Sequence, residues 1–141
     1  MMAGNDLIEP IYITFEDYKT LGGTIQDEIT FELHRKDAEV EIDFETFERL
    51  KKFPDNFPIT DNVRRCMAII INILYESKGA ILGEKAISSF SNDGFSISYG
   101  PGSTSSELKY KISSIIRKYL ANEKDEDGRR ILYRGILYGL E

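Results

Sequence analysis

The chain has no tryptophan, one cysteine, one histidine and four prolines in 141 residues. A single thiol, Cys66, excludes an internal disulfide and fits a reducing compartment. One cysteine and one histidine fall short of the usual zinc ligand sets. A Ser-His-Asp triad would have to use His34, and no nucleophile-elbow sequence accompanies it. The longest apolar run, Met67–Ile71, is a fraction of the roughly 20 residues a bilayer span needs. The N-terminus lacks a basic region followed by an apolar one, so neither a signal peptide nor a membrane partner is expected. Basic excess is missing as well: the net charge of −6 argues against general nucleic-acid binding.

What is present suffices for one domain over residues 1–141, with 41% hydrophobic residues to build a single core. The charge is polarised. Residues 1–62 carry 15 acids against 6 bases, and residues 63–141 carry 9 acids against 12 bases. Such asymmetry suits a head-to-tail oligomer in which an acidic face meets a neighbour's basic face.

Residues 1–11 read as a leader ending at Pro10. Thr14 reads as the N-cap of a short helix with Glu16 and Asp17 in its first turn, stopped by Gly22-Gly23. No Gly or Pro interrupts Thr24–Phe53. Ile29, Phe31 and Leu33 alternate with polar residues there, as do Ala38, Val40, Ile42 and Phe44, which argues strand. The length, the Glu, Lys and Arg content and the missing turn signal argue one long helix. Its apolar stripe would be Leu33, Val40, Phe44 and Phe47, with Ala38 and Ile42 beside it and Pro54 and Pro58 ending it. Asp61 is expected to cap a third helix running to about Lys78. Val63, Cys66, Met67, Ile70, Ile73 and Leu74 form its wide apolar face, and Ile69 and Ile71 make it nearly apolar all round, hence central. A last helix is expected from a Ser105 or Ser106 cap to about Ala121, with Leu108, Ile112, Ile115, Ile116 and Tyr119 inward. Asn122–Arg130 reads as a charged linker, and residues 129–141 as an extended C-terminal arm, too apolar for a frayed end and too rich in glycine for a helix.

Between the last two helices, residues 85–100 carry the signature of a β-hairpin. Asp93-Gly94 supplies the positive φ that a two-residue turn demands. That register places Phe90, Phe95, Ile97 and Tyr99 on one face and Ser89, Ser91, Ser96 and Ser98 on the other, whereas a three-residue loop would mix the faces. A lone two-stranded hairpin is marginal in water, so its apolar face needs a surface to lean on. The predicted fold class is therefore mainly α: a bundle of about four helices with one protruding hairpin and the arm.

Chemistry finds little to work with. Cys66 lies in the apolar helix and reads as a small hydrophobe. His34 is expected at the surface beside Arg35 and Lys36. Ser106-Glu107-Leu108-Lys109 matches S-x-x-K in form, but its partner motifs are missing and a helix cap followed by a surface lysine explains it. Gly100-Pro101-Gly102 resembles a phosphate turn without its third glycine, and it follows a hairpin strand rather than opening a βαβ unit. Glu39, Glu41, Asp43 and Glu45 alternate, so on a helix they do not share a face; a solvated acidic surface is the expected role, and an acidic docking surface for a basic partner is the alternative. No catalytic, cofactor or metal constellation survives. Interaction surface does: Tyr and Phe number eight each, and Phe90, Phe95, Tyr99, Tyr133 and Tyr138 sit in the hairpin and the arm. They either close the chain's own core or meet a partner.

Several spaced motifs resemble one family. Tyr12-Ile13-Thr14 followed by Tyr18-Lys19-x-Leu21-Gly22-Gly23 is similar to the N-terminal element of head-tail connector (adaptor) proteins of long-tailed phages and prophages of Gram-positive bacteria. Ile42-Asp43-x-x-Thr46-Phe47-x-Arg49 is similar as well, Ile87-x-Ser89-Phe90-Ser91-x-Asp93-Gly94-x-Ser96-Ile97-Ser98-Tyr99 most of all, and Leu132-Tyr133-Arg134-Gly135 completes the set. The tail departs from the pattern by running on through Ile136-Leu137-Tyr138-Gly139. The resemblance implies a structural virion protein, made in the host cytoplasm, that closes into a homo-oligomeric ring of about a dozen copies. It implies docking under the portal protein, a platform for the next neck or tail protein, DNA only as a passenger through the channel, and neither activity nor cofactor. The interface residues expected on this reading are Phe90, Phe95, Ile97, Tyr99, Tyr133, Arg134 and Tyr138. A different class of function, a small bacterial or prophage regulatory module that forms no ring, would use the hairpin to cover its own core.

Overall fold

Thr14 accepts a hydrogen bond from the Asp17 amide and starts α1, Phe15–Thr20. The computed structural model describes residues 10–77 and 105–141, so the hairpin segment lies outside the described residues. The two glycines after α1 act differently. Gly22 takes a left-handed φ of 95° in the turn. Gly23 lies under the Tyr18 ring, where a Cβ would come within 2.2 Å of the ring carbons. The Tyr18 hydroxyl donates to Asn72 Oδ1 at 2.5 Å and accepts from the Ile25 amide at 2.9 Å, tying α1 and its turn to a later helix.

The expected long helix is two helices. Asp27 caps α2, Glu28–Thr46, through the Thr30 amide. Phe47 and Glu48 then adopt left-handed φ values of 59° and 60°, and the chain turns into α3, Arg49–Lys52. Neither residue is glycine, so the bend opposes local preference by about 1–2 kcal/mol per residue. Tertiary contacts hold it: Arg49 and Leu50 become buried, and the Arg49 guanidinium lies 4.7 Å over the Phe47 ring.

The expected inward stripe of α2 is also corrected. Phe31, Ala38 and Ile42 are fully buried, whereas Leu33, Val40, Phe44 and Phe47 face outward. Phe31 fixes the choice by packing 5.1 Å from the Phe15 ring and 5.0 Å from the Tyr18 ring.

α4, Asp61–Glu76, is the central element, packed against α1, α2 and α5, Ser105–Leu120. Val63, Cys66, Met67, Ile70, Ile71 and Leu74 are buried along it. Its cap is Thr60, not Asp61: the Thr60 hydroxyl accepts from the Val63 amide, and Asp61 is the first helical residue. α5 buries Leu108, Ile112, Ile116 and Leu120, with Ile115 and Tyr119 partly covered. Among the described residues the fold is therefore mainly helical, with three long helices and two short ones.

Candidate interaction surface

Arg49 organises the C-terminal segment. Its side chain is 2% exposed. One terminal nitrogen donates to the carbonyls of Ile131 at 2.9 Å and Tyr133 at 2.6 Å, and the other to Gly135 O at 2.8 Å. Its Nε meets the Glu141 carboxylate at 3.1 Å, and Glu141 also accepts from the Leu137 amide at 2.9 Å. A planar guanidinium presents several donors in fixed directions, which lets one side chain hold three carbonyls and a carboxylate together. Residues 131–141 are accordingly a series of turns wound on Arg49, with Ile131 and Leu137 buried, rather than an extended arm.

The expected linker is ordered as well. Lys124 and Arg130 form an isolated antiparallel bridge. Asp125 is buried between them and receives Arg129 Nε at 2.6 Å, while Arg129 also donates to the Tyr138 carbonyl at 2.9 Å. Glu123 accepts from Thr60 Oγ1 at 2.7 Å and fastens this turn to the start of α4.

The acidic run on α2 divides by helical geometry, since residues four apart share a flank. Asp43 accepts from the Tyr12 hydroxyl and pairs with Lys51 at 2.9 Å, and Glu39 pairs with Arg35. Burial raises the Glu39 pKa, with Arg35 and Lys51 opposing. On the other flank, Glu45 accepts from Ser113 Oγ at 2.7 Å on α5. Burial raises the Glu41 pKa too, with Lys109 opposing. Glu39 and Asp43 are thus buried and ion-paired within the chain, which corrects half of the solvated surface expected, whereas Glu41 and Glu45 stay half-exposed on the other flank. His34 is likewise half-buried, edge-on to Tyr75 at 5.8 Å between ring centres, and burial lowers its pKa. Cys66 is fully buried, and burial pushes its thiol up to about 12, which suits a packing role.

Two carboxylates predict how the C-terminal segment responds to acid. The Arg49 hydrogen bond and the Leu137 amide lower the Glu141 pKa. At Asp125 burial opposes the charge, but hydrogen bonds from Arg129 hold the pKa below the ordinary value. Both folded pKa values lie below the unfolded ones. Their stabilisation is therefore complete above the unfolded carboxyl range, about pH 4, and is lost as pH falls through the lowered folded values. An NMR titration should find the Ile131 and Leu137 amide signals unchanged from pH 7 to about 5 and shifting only below about 4. Release of both signals near neutral pH would contradict this assignment.

Large apolar side chains also face outward. Ile29, Leu33, Val40 and Phe44 line up on α2 with relative exposures between 62% and 78%. They span 16 residues, about 22 Å of helix. An open groove of about 550 Å³ continues the stripe to α5, lined by Val40, Phe44, Lys109 and Tyr110 among others. A second groove joins Glu45 to Arg117, Arg130, Tyr133 and Arg134. Beyond it lie Ile136 and Tyr138, with Tyr138 81% exposed.

Of the residues expected at an interface, Tyr133, Arg134 and Tyr138 are exposed together on the C-terminal turns. Phe90, Phe95, Ile97 and Tyr99 lie outside the described residues. The outward stripe of α2 was not among the expected sites, although the alternation that suggested a strand carried its signal. Residues two apart on a helix point to nearly opposite sides, so Phe31/Leu33 and Val40/Ile42 mark two apolar faces on one helix. Among the described residues no group of three or more His, Cys, Asp or Glu side chains is placed to hold a metal ion. No helix among them is long and apolar enough to cross a membrane.

No family model, no curated protein and no solved structure matches the chain.

Proposed function

We propose that the chain is a structural virion subunit, one member of a head-tail connector ring that docks under the portal and carries the next neck or tail protein. The observation that supports this reading best is the joining of its scattered motifs through Asp43 and Arg49. Tyr12 from the first motif donates to Asp43 of the second. Arg49, closing the second, holds the carbonyls of Tyr133 and Gly135 in the last. Within the first motif, Gly23 leaves room for the Tyr18 ring. This wiring pins the C-terminal turns at one place and leaves Tyr133, Arg134 and Tyr138 outward, as a docking element requires. In this role the protein needs neither catalysis nor a cofactor, and DNA passes through the ring without sequence readout.

Native mass spectrometry of the full chain, alone and with the portal protein of a phage encoding it, tests the reading. A discrete complex of portal with a closed set of copies is expected, including the case in which the free chain is monomeric and assembles only on the portal. A chain that stays monomeric under both conditions would overturn the connector role and leave the regulatory-module reading.

A further inference from the structure

We propose that the outward stripe of α2 is an intersubunit face, and that its occupant is the basic aromatic surface of the C-terminal turns of a second copy. The inference deepens the connector reading and rests on it for the ring.

The stripe consists of Ile29, Leu33, Val40 and Phe44, all more than half exposed. Asp37, Glu41 and Glu45 run along one edge of it at helical spacing. The opposing surface presents Tyr133, Ile136 and Tyr138, more than half exposed, together with Arg130 and Arg134. Apolar area on one side meets aromatic area on the other, and an acidic edge meets guanidinium groups. Tyr and Arg are the side chains that most often carry interface energy.

Charge also decides between occupants. Antiparallel self-pairing of two α2 helices would set the Asp37–Glu41–Glu45 edge of one copy beside the same edge of the other, a like-charge contact that disfavours association. Seating the C-terminal turns there pairs opposite charges instead. The polarity of the whole chain runs the same way, with 15 acids against 6 bases before residue 63 and 9 against 12 from there on. Each copy then offers one donor and one acceptor surface, the requirement for a heterologous contact that can close into a ring.

The test places single cysteines at exposed positions of the two surfaces in the full chain, as Lys36→Cys at the edge of the stripe and Ile136→Cys within the C-terminal turns, leaving Phe44, Tyr133, Arg134 and Tyr138 in place. Cys66 stays in place: it is fully buried, and the parent chain serves as the control for its silence. The variants are treated with a short bismaleimide, singly and as an equimolar mixture, with and without the portal protein. A cross-linked pair from the mixture and from neither variant alone is the expected result. Cross-linking of Lys36→Cys by itself would overturn the proposal in favour of α2 self-pairing. A ring seen by native mass spectrometry with no cross-link in the mixture would overturn it while leaving the connector role standing. A mixed cross-link in a chain that native mass spectrometry finds only as a dimer, with and without portal, would keep this contact and remove the connector role, and neither ring nor cross-link would remove both. A charge swap adds an independent readout. Asp37→Arg or Arg134→Glu alone should lower association at least about fivefold, and the double variant should regain most of it. Failure of the double variant to recover, with both singles folded, would overturn the charge pairing.

Discussion

Replacing Arg49 with alanine is expected to destabilise the fold by about 3–5 kcal/mol, the range for breaking a buried charged network by removing one partner. The carbonyls of Ile131, Tyr133 and Gly135 would lose their shared donor, and Glu141 would lose its partner. A domain of this size has a total stability of about 5–15 kcal/mol, so the loss would be a large share of it. Arg49→Lys should recover only part, because an ammonium cannot reproduce the fork that reaches two sides at once. Urea unfolding followed by helical circular dichroism measures the effect, with the midpoint falling in the order parent, lysine, alanine. Equal midpoints for parent and alanine variants would mean that the C-terminal turns do not depend on Arg49. Deleting residues 129–141 should be more damaging still, since Ile131 and Leu137 leave the core with the tail.

The second large effect separates the two faces of α2. Phe31→Ala should lower stability by about 3–5 kcal/mol, through lost burial and the cavity left against Phe15 and Tyr18. Phe44→Ser, thirteen residues along the same helix, should change the stability of the free chain by no more than about 0.5 kcal/mol, as at an exposed site. Assembly with the portal should respond in the opposite sense: Phe44→Ser impairs it although the subunit folds. If Phe44→Ser unfolds the chain, the outward stripe belongs to the core and cannot be an intersubunit face.

These two helix faces also mark where the sequence is legible. Caps and stops are local, and Thr14, Gly22-Gly23 and the apolar face of α4 behave as their chemistry dictates. Cys66 follows from its apolar neighbours in the same way. The orientation of α2 is not local. Two apolar stripes compete for the core, and the rings of Phe15 and Tyr18 decide in favour of Phe31. The bend at Phe47-Glu48 is equally hidden, because no glycine or proline announces it and the burial of Arg49 beneath residues more than eighty positions away sustains it. The same contact converts the expected arm into ordered turns. The acidic run looked like surface because its partners, Arg35, Lys51 and Ser113, lie on other turns or other helices. For the interaction surface, Tyr133, Arg134 and Tyr138 could be named from composition and motif, whereas Ile29, Leu33, Val40 and Phe44 required knowing which face the core had taken.

The connector role itself is tested most directly by imaging. Electron cryomicroscopy of the portal protein incubated with the full chain should show a second closed ring stacked beneath the portal, with an open central channel. Subunit density in that ring should fit α2, α4 and α5. A portal that remains undecorated at saturating concentrations of folded chain would contradict the account.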